Sequence, residues 1–239
     1  MATIITAENA TFSKVLAGTS INTPAPLGKF LFKDNLATSI VDQQGNLDPL
    51  QAYGGGFSFG ANWMNFPQNN TGSNFLRFST GQRVMNYVGW LIVVDAASSE
   101  FEAIAYSPMT KGVSSRVSAD NMISFGTRTE ADELCYNYLR KPHSANTYVA
   151  ICAIQEDGNG HVTNRVYMVD SRGQSQEASF SIAGALPLGY PATDAGIVMD
   201  LGRPNSAVGN MRMHEFRFYD SYLSDAAMKE IAQNALAAY

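Results

Sequence analysis

The hydrophobic positions of this chain fall into short runs, not long periodic stretches. Residues 88–96 (VGWLIVVDA) and 147–154 (TYVAICAI) are apolar on both faces, which predicts strands at the centre of a sandwich. In residues 74–79 (NFLRFS), Phe75 and Arg77 alternate with Leu76 and Phe78, which predicts a strand with one face buried. Further strands are predicted at 101–106, 122–125, 134–139, 165–170, 180–182 and 197–201. Between them, QEDGNG at 155–160 is the strongest turn signal, since Asp-Gly and Asn-Gly both suit hairpins. Residues 28–46 predict a strand, a turn at Lys33-Asp34-Asn35 and a second turn at 42–46. Gly54-Gly55-Gly56 predicts a turn or a close approach of backbones.

The last predicted strand, residues 211–219 (MRMHEFRFY), alternates imperfectly. Met211 and Met213 share one face and Phe216 and Phe218 the other, and the slip of phase at His214-Glu215 predicts a β-bulge. A helix then opens at Ser224, whose hydroxyl can accept from a free N–H of the first turn. Asp225 suits the helix dipole there, and Leu223 and Met228 stand in the hydrophobic-staple positions. Met228, Ile231, Ala232 and Ala235 mark one apolar face. That face is too short to be stable alone, so the helix is expected to dock as a lid on the sandwich.

The end of the chain carries a resemblance. Glu215, Phe216, Arg217, Phe218 and Tyr219, then Leu223-Ser224 and Ile231, resemble the C-terminal signature of laminin-G-like jelly rolls, which are concanavalin A-like lectin/glucanase sandwiches. Ala227 departs from it, because the family often has a Glu there that completes a capping box. The Asp-x-x-Gly-Asn turn at 42–46, the short Leu-x-Phe strand at 76–78 and the hairpin of 147–170 are similar to the family in the same order. The resemblance covers residues 28–239 and implies an all-β, antiparallel jelly-roll sandwich with a short C-terminal helix.

Composition narrows the picture. The length of 239 residues fits a single β-sandwich, and 45% apolar with 15% charged residues can bury a large core. A net charge of −5 argues against a nucleic-acid partner, and no stretch is long and apolar enough to span a membrane. The first ten residues lack the pattern of a secretory signal. Cys135 and Cys152 can pair or stay as buried thiols; the missing signal and the all-apolar strand around Cys152 favour free thiols.

Residues 1–27 form a segment of their own, ending in Pro24-Ala25-Pro26. Ile4, Ile5, Phe12, Val15 and Leu16 need a surface to cover them. Two readings stand side by side: an edge strand of the sandwich, or an assembly arm docking on another copy or a virion protein.

Candidate chemistry is sparse. Glycoside hydrolysis needs two carboxylates facing one cleft; Glu215 stands alone in its strand, Asp220 lies in a turn, and Glu100 and Glu102 fall beside a Ser pair in a predicted loop. The histidines are His143, His161 and His214, and no Ser sits in a G-x-S-x-G turn. Asp34, Asp42, Asp48, Asp157 and Asn159 offer oxygen ligands for calcium but form no D-x-D-x-D run. Tyr53, Asn62, Trp63, Asn69 and Asn70 gather aromatic and amide groups in a Gly-rich region, which is the composition a sugar site needs. No catalytic residue and no cofactor other than calcium is called for.

Three functions follow as expectations. The first is a non-enzymatic structural or adhesion protein of a virus particle, a phage capsid decoration or tail component assembled in the host cytoplasm; the virion setting is what the resemblance implies. The second is a carbohydrate-binding, lectin-like module using the Trp63 patch on surface glycans. The third, a glycosidase, needs a second carboxylate facing Glu215.

Overall fold

The computed structural model of the protein describes residues 23–67, 74–80, 86–95, 102–106, 113–117, 122–142, 146–186, 197–202 and 211–239. The calls on Ile4, Ile5, Phe12, Val15 and Leu16, and those on Asn69, Asn70, Glu100 and His143, lie outside these residues. The chain opens with β1 (Gly28–Leu31) and one helical turn, α1 (Leu36–Ser39). Then come β2 (Gln51–Tyr53), β3 (Ser58–Gly60), β4 (Trp63–Phe66), β5 (Phe75–Ser79), β6 (Tyr87–Asp95), β7 (Glu102–Tyr106) and β8 (Ser114–Val117). β9 (Met122–Arg128) and β10 (Leu134–Arg140) form a hairpin, and β11 (Thr147–Glu156), β12 (His161–Asp170) and β13 (Ser175–Ala183) a meander. β14 (Val198–Leu201), β15 (Met211–Tyr219) and helix α2 (Asp225–Leu236) complete the fold.

Two antiparallel sheets stack face to face, as the resemblance implies. The first runs β13-β12-β11-β6-β15-β4-β3, with β1 also paired along β15; the second runs β10-β9-β8-β7-β14-β5-β2. Apolar side chains of the two inner faces fill the space between them. At its centre Phe78 meets Phe216 at 5.2 Å and Phe218 at 4.9 Å between ring centroids. Polar groups cross this core, Trp90 and Asn164 among them. Trp90 donates its indole N–H to Ser115 Oγ of the opposite sheet at 2.6 Å. Asn164 of β12 donates to the carbonyls of Phe125 (2.8 Å) and Cys135 (3.0 Å) on the second sheet.

The first sheet is apolar on its outer face too, and α2 explains why. Val88, Trp90, Ile92 and Val94 face the second sheet, while Tyr87, Leu91 and Val93 face the helix. Ala227, Met228, Ile231, Ala232 and Ala235 are buried against that outer face. Ser224 caps the helix, accepting from the Ala227 N–H. The lid is therefore docked, and the molecule has three layers: helix, sheet, sheet.

The bulge falls where the phase slips, with a register shift between Met213 and Glu215. Its consequence differs from the expectation. Met211, Met213, Phe216 and Phe218 all sit in the inter-sheet core, because the extra residue restores the phase instead of turning the second half of the strand outward. Four short strands, β2, β3, β4 and β8, were not predicted.

Two of the turn Asp residues, Asp42 and Asp157, have structural partners. Both oxygens of Asp42 accept main-chain N–H groups, Oδ1 from Lys29 and Gln44 and Oδ2 from Asn46 and Leu47, all at 2.8–3.0 Å. Asp157 Oδ1 accepts from Asn159 and His161 at 2.9 Å each. Among the described residues, no three His, Cys, Asp or Glu side chains come together as a metal site would require. The two thiols are unbridged and buried; Cys135 donates to the Val162 carbonyl and Cys152 to Asn164 Oδ1.

Candidate functional site

Of the residues that sequence grouped as one sugar patch, the two aromatic ones are placed on two different sheets. Tyr53 ends β2, the edge of the second sheet, and Trp63 begins β4 of the first. Gly54 and Gly56, with φ of 70° and 81°, lie where the chain crosses between the two. Trp63 pairs with Gly60, and its indole fills the place where a Cβ would stand on that glycine. The Arg212 guanidinium lies 4.7 Å from the Trp63 ring centroid. Asn62 is exposed in the β3–β4 turn, and its carbonyl is engaged by His214.

Around Tyr53 the structure builds a more complete arrangement. In β5, Leu76 and Phe78 point into the core, so Phe75 and Arg77 point outward. The register pairs Tyr53 with Phe75 and Gln51 with Arg77, and on the other side Arg77 with Asp200 of β14. The Tyr53 and Phe75 rings stack at 4.6 Å and 14°. The Arg77 guanidinium lies 5.0 Å from the Tyr53 centroid and 5.3 Å from that of Phe75.

Arg77 is fixed by a bidentate pair, Nε to Asp200 Oδ1 at 2.7 Å and Nη2 to Oδ2 at 3.0 Å. Asp200 is fully buried. Its hydrogen bond raises the Arg77 pKa above the ordinary guanidinium value, against the effect of burial. Tyr53 remains 37% exposed, and its hydroxyl donates to Gln51 Oε1 at 3.0 Å. The Gly55 N–H donates to Asn74 Oδ1, holding the glycine turn beside the rings. The result is an exposed aromatic ring flanked by a fixed guanidinium and side-chain amides. An aromatic ring offers an apolar face to the C–H side of a sugar, and guanidinium and amide groups match its hydroxyls.

Sequence reasoning found Tyr53 but missed Gln51, Arg77 and Asp200 as its companions. The alternation of β5 had placed Phe75 and Arg77 on one face; the missing information was the pairing with β2 and β14.

Two of the groups considered for catalysis, His214 and Glu215, are occupied structurally. His214 is buried, donates Nδ1–H to the Asn62 carbonyl at 2.7 Å, and has Nε2 2.8 Å from Asp95 Oδ1. Neither ring nitrogen faces a nucleophile. Burial works to raise the Asp95 pKa, but the bonds from His214 and Thr147 outweigh it and hold the carboxyl below its ordinary value. Glu215 is 1% exposed, and its polar neighbours are Lys29 at 3.3 Å, the Arg217 guanidinium and the Tyr239 hydroxyl at 3.2 Å. These are two cations and a phenol, not the second carboxylate that glycoside hydrolysis needs.

No family model matches the chain, and no curated protein matches it. Solved structures do. The receptor binding domain of botulinum neurotoxin C/D mosaic serotype is similar with a TM-score of 0.62 at 10% identity, over 87% of this chain and 51% of that one. The botulinum neurotoxin type G receptor binding domain gives 0.60 at 9% identity, over 88% and 51%. The binding domain of botulinum neurotoxin DC in complex with SialylT gives 0.60 at 11%, over 87% and 51%. The chain thus spans about half the length of these structures, and the likeness is one of fold.

Proposed function

We propose that this chain is a non-catalytic recognition module that binds surface carbohydrate, with Tyr53, Arg77 and Gln51 as its contact surface and the buried Phe75 ring backing Tyr53. The observation that carries the reading is the exposed Tyr53 ring stacked on Phe75 beside an arginine locked by buried Asp200. Such a surface is preorganised: the guanidinium loses little freedom when a ligand hydroxyl meets it. The neighbours of this fold are receptor-binding domains by name, one of them in complex with SialylT, which supports a recognition role for the sandwich. The virion setting implied by the laminin-G-like resemblance makes such a module the adhesive surface of a particle, and co-sedimentation with purified particles tests that part separately.

The test of binding is a glycan array with the whole chain and with Tyr53→Ala. Tyr53 sits on an exposed edge strand, so the variant should fold, losing only about 1 kcal/mol with the ring stack on Phe75. Loss of the ring should weaken a bound glycan about tenfold or more. No array signal from the parent protein, or an unchanged signal from the variant, overturns the reading.

A further inference from the structure

A second concave site lies on the opposite side of the molecule from Tyr53, on the outer face of the first sheet. Here α2 stops short of the sheet edge and leaves a cavity of about 330 Å³ between its first turns and β12–β13. Arg165 and Tyr167 of β12 and their cross-strand partners Ser179 and Glu177 of β13 form the floor. Asp225, Met228 and Lys229 form the helix wall. The volume suits one sugar-sized ligand, at the lower end of ligand pockets.

Two ion pairs cross this groove. Arg165 Nη1 lies 2.7 Å from Asp225 Oδ1, and Lys229 Nζ lies 2.6 Å from Glu177 Oε2. The partners are unequal. Arg165 is 13% exposed and is also tied to the main chain, donating to the Leu223 carbonyl at 2.8 Å. Lys229 leans over the Tyr167 ring at 5.8 Å. Asp225 and Glu177 are 72% and 62% exposed, and each reaches the groove only through its ion pair and side chain. Exposed pairs of this kind contribute little net stability, so their carboxylates can be exchanged for another anion at small cost. Arg165 is thus the fixed charge of the groove, whereas the pair of Lys229 (43% exposed) with Glu177 can open to admit another anion.

We propose that this groove is a binding site for a small polyhydroxylated ligand carrying one anionic group, a carboxylate or a sulfate, of the kind found on an acidic sugar residue. The anion takes the place of Glu177 on Lys229, and Ser179 and Asp225 stand within the same cavity for the hydroxyls. The site is separate from the Tyr53 surface and does not depend on it.

The test is titration of the ¹⁵N-labelled whole chain at low salt with glucuronate, glucose 6-sulfate and glucose, following amide shifts. Glucuronate, glucose 6-sulfate or both should shift residues of 165–167, 177–179 and 225–229, and glucose should not; which of the two acts tells carboxylate from sulfate. Lys229→Gln should weaken that binding roughly tenfold, as loss of a charge-assisted contact does. Glu177→Gln, which frees Lys229 of its competitor, should strengthen it severalfold. Both side chains are exposed, so both variants should fold, and a merely structural ion pair gives no opposite signs. Equal shifts from glucose, shifts elsewhere, no shifts from either acidic sugar, or the same response in both variants overturn the proposal. Acetate or inorganic sulfate binding as tightly as the acidic sugars overturns the part assigned to the hydroxyls.

Discussion

The docking of α2 gives a sharp test of how the sandwich is stabilised. Met228 is 2% exposed and belongs to the cluster in which the helix meets Leu91, Val93, Val149 and Ile151. Met228→Ala removes three heavy atoms from that contact. The transfer term for the lost apolar surface is about 2 kcal/mol, and partial retention of the cavity brings the cost to about 3 kcal/mol. Met228→Asp buries a charge against an apolar sheet face, which costs on the order of 4 kcal/mol, a large share of a domain's usual stability, even with Arg165 lining the adjoining groove. Gln233→Asp, on the exposed side of the same helix, is the control and should cost at most about 1 kcal/mol, from helix propensity and a negative charge in the last turn. Urea titrations followed by circular dichroism and by tryptophan emission read these values. The two tryptophans, Trp63 of β4 and the fully buried Trp90 of β6, report the sandwich separately from the helix. The slope should be unchanged in Met228→Ala if only the native contact is lost. A cost for Met228→Ala below about 1 kcal/mol, or a cost for Met228→Asp no larger than the control, refutes the claim that the helix is part of the cooperative fold.

Three further outcomes follow from the core and its charges. Asn164→Ala should cost about 3 kcal/mol in the same titration, because two carbonyls of the second sheet lose their donor inside a dry core; a neutral result would show that water or relaxation replaces it. Burial pushes the Cys135 thiol up to about 11 and the Cys152 thiol also well above its ordinary value, so neither should react with Ellman's reagent at pH 8 until the protein unfolds; fast labelling of the native chain contradicts this. Asp95 has a lowered folded pKa, so its bonds to His214 and Thr147 stabilise the fold above the unfolded value of about 4, and that contribution is lost as pH falls through the folded value. The drop in urea midpoint between pH 5 and pH 3 should therefore be smaller in Asp95→Asn than in the parent, and an equal drop assigns the acid sensitivity elsewhere.

What was legible in the sequence is what local chemistry decides. The helix is the clearest case: the cap at Ser224, the staple of Leu223 on Met228 and the apolar face all act within a few residues, and all are realised. The doubly apolar runs were read as central strands, and β6 and β11 do lie in the middle of their sheet. Their second apolar face, though, looks toward α2, an element at the far end of the chain. The short strands were illegible for the opposite reason. β8 is Ser-Ser-Arg-Val, with no alternation of its own, and exists because β7 and β9 offer it partners on both sides. In β15 the bulge was visible, but its effect on facing was not. Alternation alone cannot tell whether an inserted residue throws the rest of a strand outward or returns it to the same core.

The binding surface shows where proximity in sequence misleads. Tyr53 and Trp63 are only ten residues apart, and both are aromatic among glycines and amides. Between them Gly54 and Gly56, at positive φ, turn the chain as it passes from one sheet to the other. Each aromatic then meets neighbours fixed by register: Trp63 lies across Gly60 and near Arg212, and Tyr53 against Phe75 and Arg77. The partner that locks Arg77 is Asp200, 123 residues further along the chain. A sequence supplies the chemical types for such a surface, whereas its composition is a property of strand order. The same holds for the groove at α2, where a cation of β12 faces an acid of the helix 60 residues later. In a sandwich whose hairpins are joined into sheets by antiparallel pairs between strands distant in sequence, candidate sites are therefore best sought among side chains that share a sheet face, and a cluster along the chain earns weight only after the register has been assigned.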